Sequence, residues 1–246
     1  MAEIAQKYHA KPNTISKKLK EQNIPIRRKG TSKNPLLKHD YFHDIDAPEK
    51  AYFLGLLFTD GNIMLDSQRS PSVRIELVET DIEILQKLKQ ELNCNCKLTY
   101  NKRKSRAHGT YALSVRSQQI ADDLSKWNIV PNKTYVISEI KIPEEFKIDF
   151  LRGFIDGDGS IWYDSNSGTV HTSVCGHSEH IIKQIADLGN SLIGKETTNK
   201  VTCTNGVYRY SWNGLKAKLL NQLIYYPDCI CIARKRDKAM SQCEDK

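Results

Sequence analysis

From about Pro48 onward the chain repeats itself, and this internal duplication constrains its fold more than any other feature. The first unit opens Ala51-Tyr52-Phe53-Leu54-Gly55-Leu56-Leu57-Phe58-Thr59-Asp60-Gly61. The second opens Phe150-Leu151-Arg152-Gly153-Phe154-Ile155-Asp156-Gly157-Asp158-Gly159. In both, one Gly stands five residues before the last Asp and another follows it directly, and the two Asp lie 98 residues apart. Strand-like alternation follows each opening, at Val73 to Leu77 and Val170 to Val174. A helical stripe comes next: Ile84, Leu85 and Leu88 behind a capping box at Thr80 to Glu83, and Ile181, Ile182, Ile185 and Leu188 in the second unit. Second strand pairs (97–100 with 111–116, 201–203 with 208–212) and closing helices (118–127, 215–223) complete each unit. The expected architecture is α+β, tandem αββαββα repeats with pseudo-twofold symmetry, as residues 49–140 and 141–246.

Phe53, Leu54, Leu56, Leu57 and Phe58 make the first opening helix apolar nearly all round, so half a molecule could not bury it. Two units must therefore pack through their opening helices. Gly55 and Gly153 mark that interface, because Gly in a helix interior costs about 1 kcal/mol relative to Ala and close helix approach supplies a reason for it. A crossing there brings Asp60 and Asp158 together at two helix C-termini, each carrying about half a negative charge. Repulsion of this kind is relieved by a divalent cation, and oxygen ligands suit Mg2+, which could assist hydrolysis of a phosphodiester.

Charge is concentrated at the N-terminus. The first 38 of 246 residues hold ten Lys or Arg and two Glu, a net +8 equal to that of the whole chain. Such a segment selects a polyanion. Residues 1–30 read as two short helices, Glu3 to Tyr8 and Pro12 to Glu21, resembling a helix-turn-helix module with Asn13, Thr14, Ser16 and Lys17 at the start of its recognition helix. Residues 31–48 read as a basic linker, and Arg27, Arg28 and Lys29 as phosphate contacts. No apolar run nears the roughly 20 residues of a membrane span, and no secretory signal is recognisable. The seven cysteines lack zinc-site spacing and read as reduced, mostly buried thiols of a cytoplasmic protein.

Both openings resemble the motif of the LAGLIDADG homing endonucleases, Leu151 to Gly159 more closely than Phe53 to Gly61, where Phe58 replaces a frequent acid. The resemblance covers nearly everything after Pro48. It implies a monomeric, site-specific double-stranded DNA endonuclease that initiates intron or gene homing, with two curved sheets over DNA and short 3′ overhangs. It gives the metal-binding role to Asp60 and Asp158, with the carbonyls of Thr59 and Gly157 as further ligands, and not to Asp156. Mg2+ is the implied cofactor, with Mn2+ able to substitute. The resemblance also places a basic catalytic residue late in each unit, Lys133 in the first and Lys235, with Lys238 as a rival, in the second.

Base reading falls to polar residues on one face of the strands: Arg74, Glu76, Lys97, Thr99, Arg116, His171, Ser173, Lys200, Arg209 and Ser211. Arg103, in the loop 102–106, is expected on phosphate. Two other functions fit the same scaffold: a DNA-binding regulator without catalysis, and an intron RNA maturase.

Overall fold

The computed structural model describes residues 7–22, 34, 36–102, 107–131, 139–195 and 199–241. The chain divides into two compact units, Met1–Pro35 and Leu36–Lys246. In the first, helix α1 spans Pro12–Glu21 and follows His9, which adopts a left-handed backbone with φ of 48°. The expected helix before it falls largely outside the described residues, as do Arg27, Arg28 and Lys29.

In the second unit, Pro48 stands in the first turn of helix α2 (Pro48–Asp60), where its missing N–H is harmless. Strands β1 (Gly61–Met64) and β2 (Ser72–Val78), helix α3 (Ile82–Glu91), strands β3 (Thr99–Asn101) and β4 (Thr110–Arg116) and helix α4 (Gln118–Lys126) follow. The order then recurs as α5 (Lys147–Asp158), β5 (Gly159–Asp164), β6 (Thr169–Gly176), α6 (Glu179–Ile193), β7 (Thr202–Thr204), β8 (Val207–Asn213) and α7 (Leu215–Ile224). One more helix, α8 (Ala233–Met240), has no counterpart among the described residues of the first repeat and was not foreseen from the sequence.

Each repeat forms one antiparallel sheet, ordered β1-β2-β4-β3 and β5-β6-β8-β7. The registers match residue for residue. Gly61 pairs with Ile75 and Ile75 with Leu113; Gly159 pairs with Val174 and Val174 with Tyr210. Val73, Ile75 and Leu77 point into the core while Arg74 and Glu76 point away, the alternation of a sheet covered on one face.

Ser117 and Ser178 cap α4 and α6, each hydroxyl accepting from the backbone N–H three residues on. The capping box expected at Thr80 does not form. Residues Glu79–Asp81 make a 3-10 turn, the Thr80 hydroxyl donates to Asp81 at 3.2 Å, and Asp81 instead binds Arg234. Strands β3 and β7 start later than the alternation suggests, so Lys97 and Lys200 precede them. Within the segment expected to be a linker, Leu37, Tyr41, Phe42 and Ile45 are buried in the core. Of the six described cysteines only Cys94 is buried, and Cys203 is exposed, so the expectation of mostly buried thiols is corrected.

Candidate active site

The two opening helices lie backbone against backbone. A Cβ added at Gly55 would strike the Phe150 carbonyl, and one at Gly153 would strike the Tyr52 carbonyl. The collisions are reciprocal, as a twofold crossing through two glycines requires. Residues 51–58 of α2 and 149–156 of α5 are buried, whereas Asp60 and Asp158, at the helix ends, are exposed.

The crossing also brings the ends together. A Cβ on Gly157 would meet the Thr59 hydroxyl and lie 3.0 Å from Asp60 Oδ2, so the Asp60 carboxylate rests directly beside the turn that carries Asp158. The Thr59 hydroxyl donates to the Leu56 carbonyl at 2.9 Å, which anchors that side of the crossing. Among the described residues, no group of three or more His, Cys, Asp or Glu side chains is placed to hold a metal ion. The donor set at the helix ends is instead two exposed carboxylates on adjoining, partly negative termini, and it suits a hard cation that takes its other oxygens from water and phosphate.

Lys235 is not a solvated surface lysine. It is 6% exposed, and its ammonium donates to the carbonyls of Ile155 (2.8 Å), Asp156 (2.6 Å), Gly157 (3.2 Å) and Gly159 (2.7 Å). These include carbonyls left unsatisfied at the end of α5, so a buried cation caps the helix that delivers Asp158. Burial pushes the Lys235 ammonium below its ordinary value, and the charges of Asp156 and Asp60 oppose that shift. The Gly157 carbonyl, expected as a metal ligand, already accepts from Lys235. Lys238 is exposed, and Lys133 lies outside the described residues. Lys235→Met should lower the stability of the fold by about 2 kcal/mol, measured by urea unfolding, because buried carbonyls lose a charged donor. Lys238→Met should leave it unchanged.

Asp156, two residues before Asp158, faces the interior. Tyr52 of α2 donates to it at 2.9 Å, Tyr225 at 2.8 Å and the Ile232 N–H at 2.7 Å, pinning the two repeats and the C-terminal segment to one carboxylate. Burial pushes its pKa up to about 6, with the three hydrogen bonds and Lys235 pulling the other way. A carboxyl raised in the folded state binds its proton more tightly there than in the unfolded chain. Its contribution to stability is therefore largest in acid, falls as pH rises from about 4 through about 6, and is flat above. Urea unfolding across pH 4–7 should show this decline in the wild type and not in Asp156→Asn, which cannot titrate.

Arg152 completes the buried frame, donating to the Ile230 and Ile224 carbonyls and to Asp149, with its guanidinium over the Tyr52 and Tyr226 rings. Arg234 forms a forked pair with Asp81, both nitrogens within 2.9 Å, so α8 reaches across to the first repeat. Sequence reasoning missed these ties. Their only signal was the Cys231-Ile232-Ala233-Arg234-Lys235 run, in which three apolar residues directly precede two cationic ones.

The second unit thus combines two repeats, two matched sheets and two glycine-crossed helices with adjoining acidic ends. This is the fold of the LAGLIDADG homing endonucleases. The homing endonuclease I-WcaI bound to its DNA recognition sequence aligns at a TM-score of 0.53 with 12% identity, over 85% of this chain and 95% of that one. Mesophilic variants of the homing endonuclease I-DmoI align at 0.52 with 15% identity, over 79% and 97%. The LAGLIDADG meganuclease I-AabMI bound to uncleaved DNA aligns at 0.51 with 12% identity, over 80% and 89%. No family model matches the sequence. Among curated proteins, the uncharacterized protein MJ0398 of Methanocaldococcus jannaschii is 24% identical over 87% of this chain and 73% of its own length. MJ0314 of the same organism is 29% identical over 65% and 59%.

On the LAGLIDADG fold, the faces of the two sheets turned away from the helices carry most of the expected base readers. Arg74 and Glu76 of β2 are joined at 2.7 Å, and Arg116 of β4 contacts Asp66 at 3.2 Å. Thr99 is exposed on β3, and Lys97 is exposed ahead of it. In the second repeat, His171 Nδ1 donates to Asn213 Oδ1 at 2.7 Å and its ring stacks on Trp162 at 5.0 Å, a partner that was not foreseen. Arg209 and Lys200 are exposed and Ser211 is half-buried. Ser173, flanked by strands on both sides, is only 4% exposed. The Cys175 thiol contacts the Asp158 carbonyl at 3.6 Å, at the edge of the same face. In the N-terminal unit Asn13, Thr14 and Lys17 are exposed; the side chain of Ser16, and Arg103 of the loop, lie outside the described residues.

Proposed function

We propose that the chain is a site-specific endonuclease for double-stranded DNA, hydrolysing phosphodiester bonds with a divalent cation, Mg2+, between Asp60 and Asp158. The observation that carries this reading is the Asp60 carboxylate lying beside the Gly157-Asp158 turn, with both acids exposed just past the buried stretches 51–58 and 149–156. A neutral side chain would be easier to place at either terminus, so two carboxylates there point to a ligand. The DNA-bound state of the I-WcaI and I-AabMI structures that share the fold supports DNA as the substrate.

A cation bound between the acids would supply positive charge to the scissile phosphate and acidify a water molecule. The chain's own residues do the rest. Gly55 and Gly153 set the separation of the helix ends, Lys235 holds the turn that carries Asp158, and the outer sheet faces hold the duplex. The helix Pro12–Glu21 and the basic residues around it add affinity through phosphate contacts. Lys133 is proposed as the first repeat's basic catalytic residue.

The test is incubation of a randomised duplex library with the full chain and Mg2+, followed by sequencing of the cut ends. Breaks in both strands at a fixed offset within one sequence support the reading. Enrichment of a bound sequence without breaks would replace it with a DNA-binding regulator.

A further inference from the structure

The matched registers allow the two outer sheet faces to be compared position by position, and the symmetry fails beside the active site. Counting from the Gly61–Ile75 and Gly159–Val174 pairs, Arg74 of the first repeat corresponds to Ser173 of the second. Across the first sheet, Arg74 lies between Asn62 and Ser114; across the second, Ser173 lies between Ser160 and Ser211. One face therefore carries a long cationic side chain among short polar neighbours where the other carries three serines. The next position outward differs too: Glu76 lies opposite Ala112, and its counterpart Cys175 lies opposite Arg209.

Arg74 is also held. Its guanidinium donates to Glu76 Oε2 at 2.7 Å, and Glu76 Oε1 accepts from the Thr110 hydroxyl. Both Glu76 oxygens are thus engaged within the sheet, which leaves that carboxylate poorly suited to accept from a base. A carboxylate bound to one edge of a guanidinium fixes the plane of the fork and reduces the rotamer freedom lost on binding. Its side chain remains 29% exposed, enough to reach outward. A planar, pre-oriented fork on a sheet that fits the major groove matches the paired acceptors N7 and O6 of guanine better than any other base edge.

The geometry points to Arg74 as the residue that reads a guanine in the half-site under the first repeat, with Glu76 and Thr110 as its positioning residues and no equivalent reader at Ser173. This rests on the reading of the chain as a DNA-binding endonuclease. The serine row makes the second half-site tolerant at the corresponding base pair, so the guanine requirement is one-sided.

The experiment is a binding selection from a randomised duplex library with Mg2+ omitted, run on the full-length wild type, Arg74→Ala and Glu76→Gln. The wild type should enrich a guanine at that position in one half and show no preference at the matching position of the other. Arg74→Ala should lose the preference at that position alone and bind the selected site roughly 5- to 150-fold more weakly, the range for a bidentate contact. Glu76→Gln should weaken the same preference while leaving the others. Replacing that guanine with 7-deazaguanine should weaken the wild type and leave Arg74→Ala unaffected, a readout that a purely structural role would not move. A uniform loss of affinity with every base preference intact would make Arg74 a phosphate contact and overturn the proposal. So would an enriched sequence without a guanine that responds to Arg74. Failure to enrich any sequence would overturn the endonuclease reading itself, and the two failures are thereby distinguished.

Discussion

Gly153→Val is expected to destabilise the second unit by about 3 kcal/mol or more, at the upper end for overpacking, because the added side chain meets main chain rather than a movable side chain. The Tyr52 carbonyl that it would strike is part of α2, and the Leu56 N–H lies 3.0 Å from the same added Cβ. Neither atom can move without displacing a helix whose residues 51–58 are all buried. Gly55→Val should behave alike, since Phe150 and Phe154 present the same obstacle from α5. Any population that still folds does so with the helices farther apart, separating Asp60 from the Gly157-Asp158 turn. Cleavage per folded molecule should fall as well, which a stability defect alone would not produce. Chemical unfolding, with activity corrected for the folded fraction, checks both parts.

The duplication made most of this architecture legible. A helix such as Phe53 to Phe58, apolar on every side, has few ways to be covered, and a second copy 98 residues later supplied the cover. Gly55 and Gly153 then fixed where the helices touch, since only a missing side chain permits two backbones to meet. Strand alternation at Val73 to Leu77 and Val170 to Val174 sorted core from outer face, although Ser173 on the outer face is itself only 4% exposed. What sequence could not supply was pairing among polar groups. Thr80-Asp81-Ile82-Glu83 has the spacing of a capping box, yet the Thr80 hydroxyl donates to Asp81, which forms a forked contact with Arg234, 153 residues away. Lys235 was picked out for its place in the repeat, but its burial against four carbonyls depends on α8 folding back over the end of α5. Glu76 was expected to read a base, and nothing local reveals that both of its oxygens are engaged by Arg74 and Thr110. Tyr41, Phe42 and Ile45 were hidden in a segment whose Pro, Ser and Lys content resembled a linker.

Asp60→Asn and Asp158→Asn should each reduce strand cleavage by more than the roughly 10- to 100-fold that follows loss of an outer partner of a metal site, since each removes the charge of a proposed metal ligand. Neither should destabilise the fold. Both side chains are exposed, and removal of a negative charge from a helix C-terminus relieves an unfavourable dipole interaction of about 0.3–1 kcal/mol. DNA binding should be retained or slightly strengthened for the same electrostatic reason. The pattern differs sharply from that of Asp156, two residues before Asp158. Asp156→Ala orphans the Ile232 N–H and two tyrosine hydroxyls, and should lose about 3 kcal/mol of stability or more. Two acids on one turn are thus predicted to separate cleanly, one in catalysis and one in folding.

The most direct measurement of the central claim is single-turnover cleavage of the library-selected duplex by wild type, Asp60→Asn and Asp158→Asn, with Mg2+ present and duplex binding measured in parallel. The account predicts cleavage of both strands by the wild type, and near-complete loss of cleavage with intact binding in each variant. Undiminished cleavage by either variant would contradict it, because the reacting phosphate would then be held and activated somewhere other than between the two helix ends.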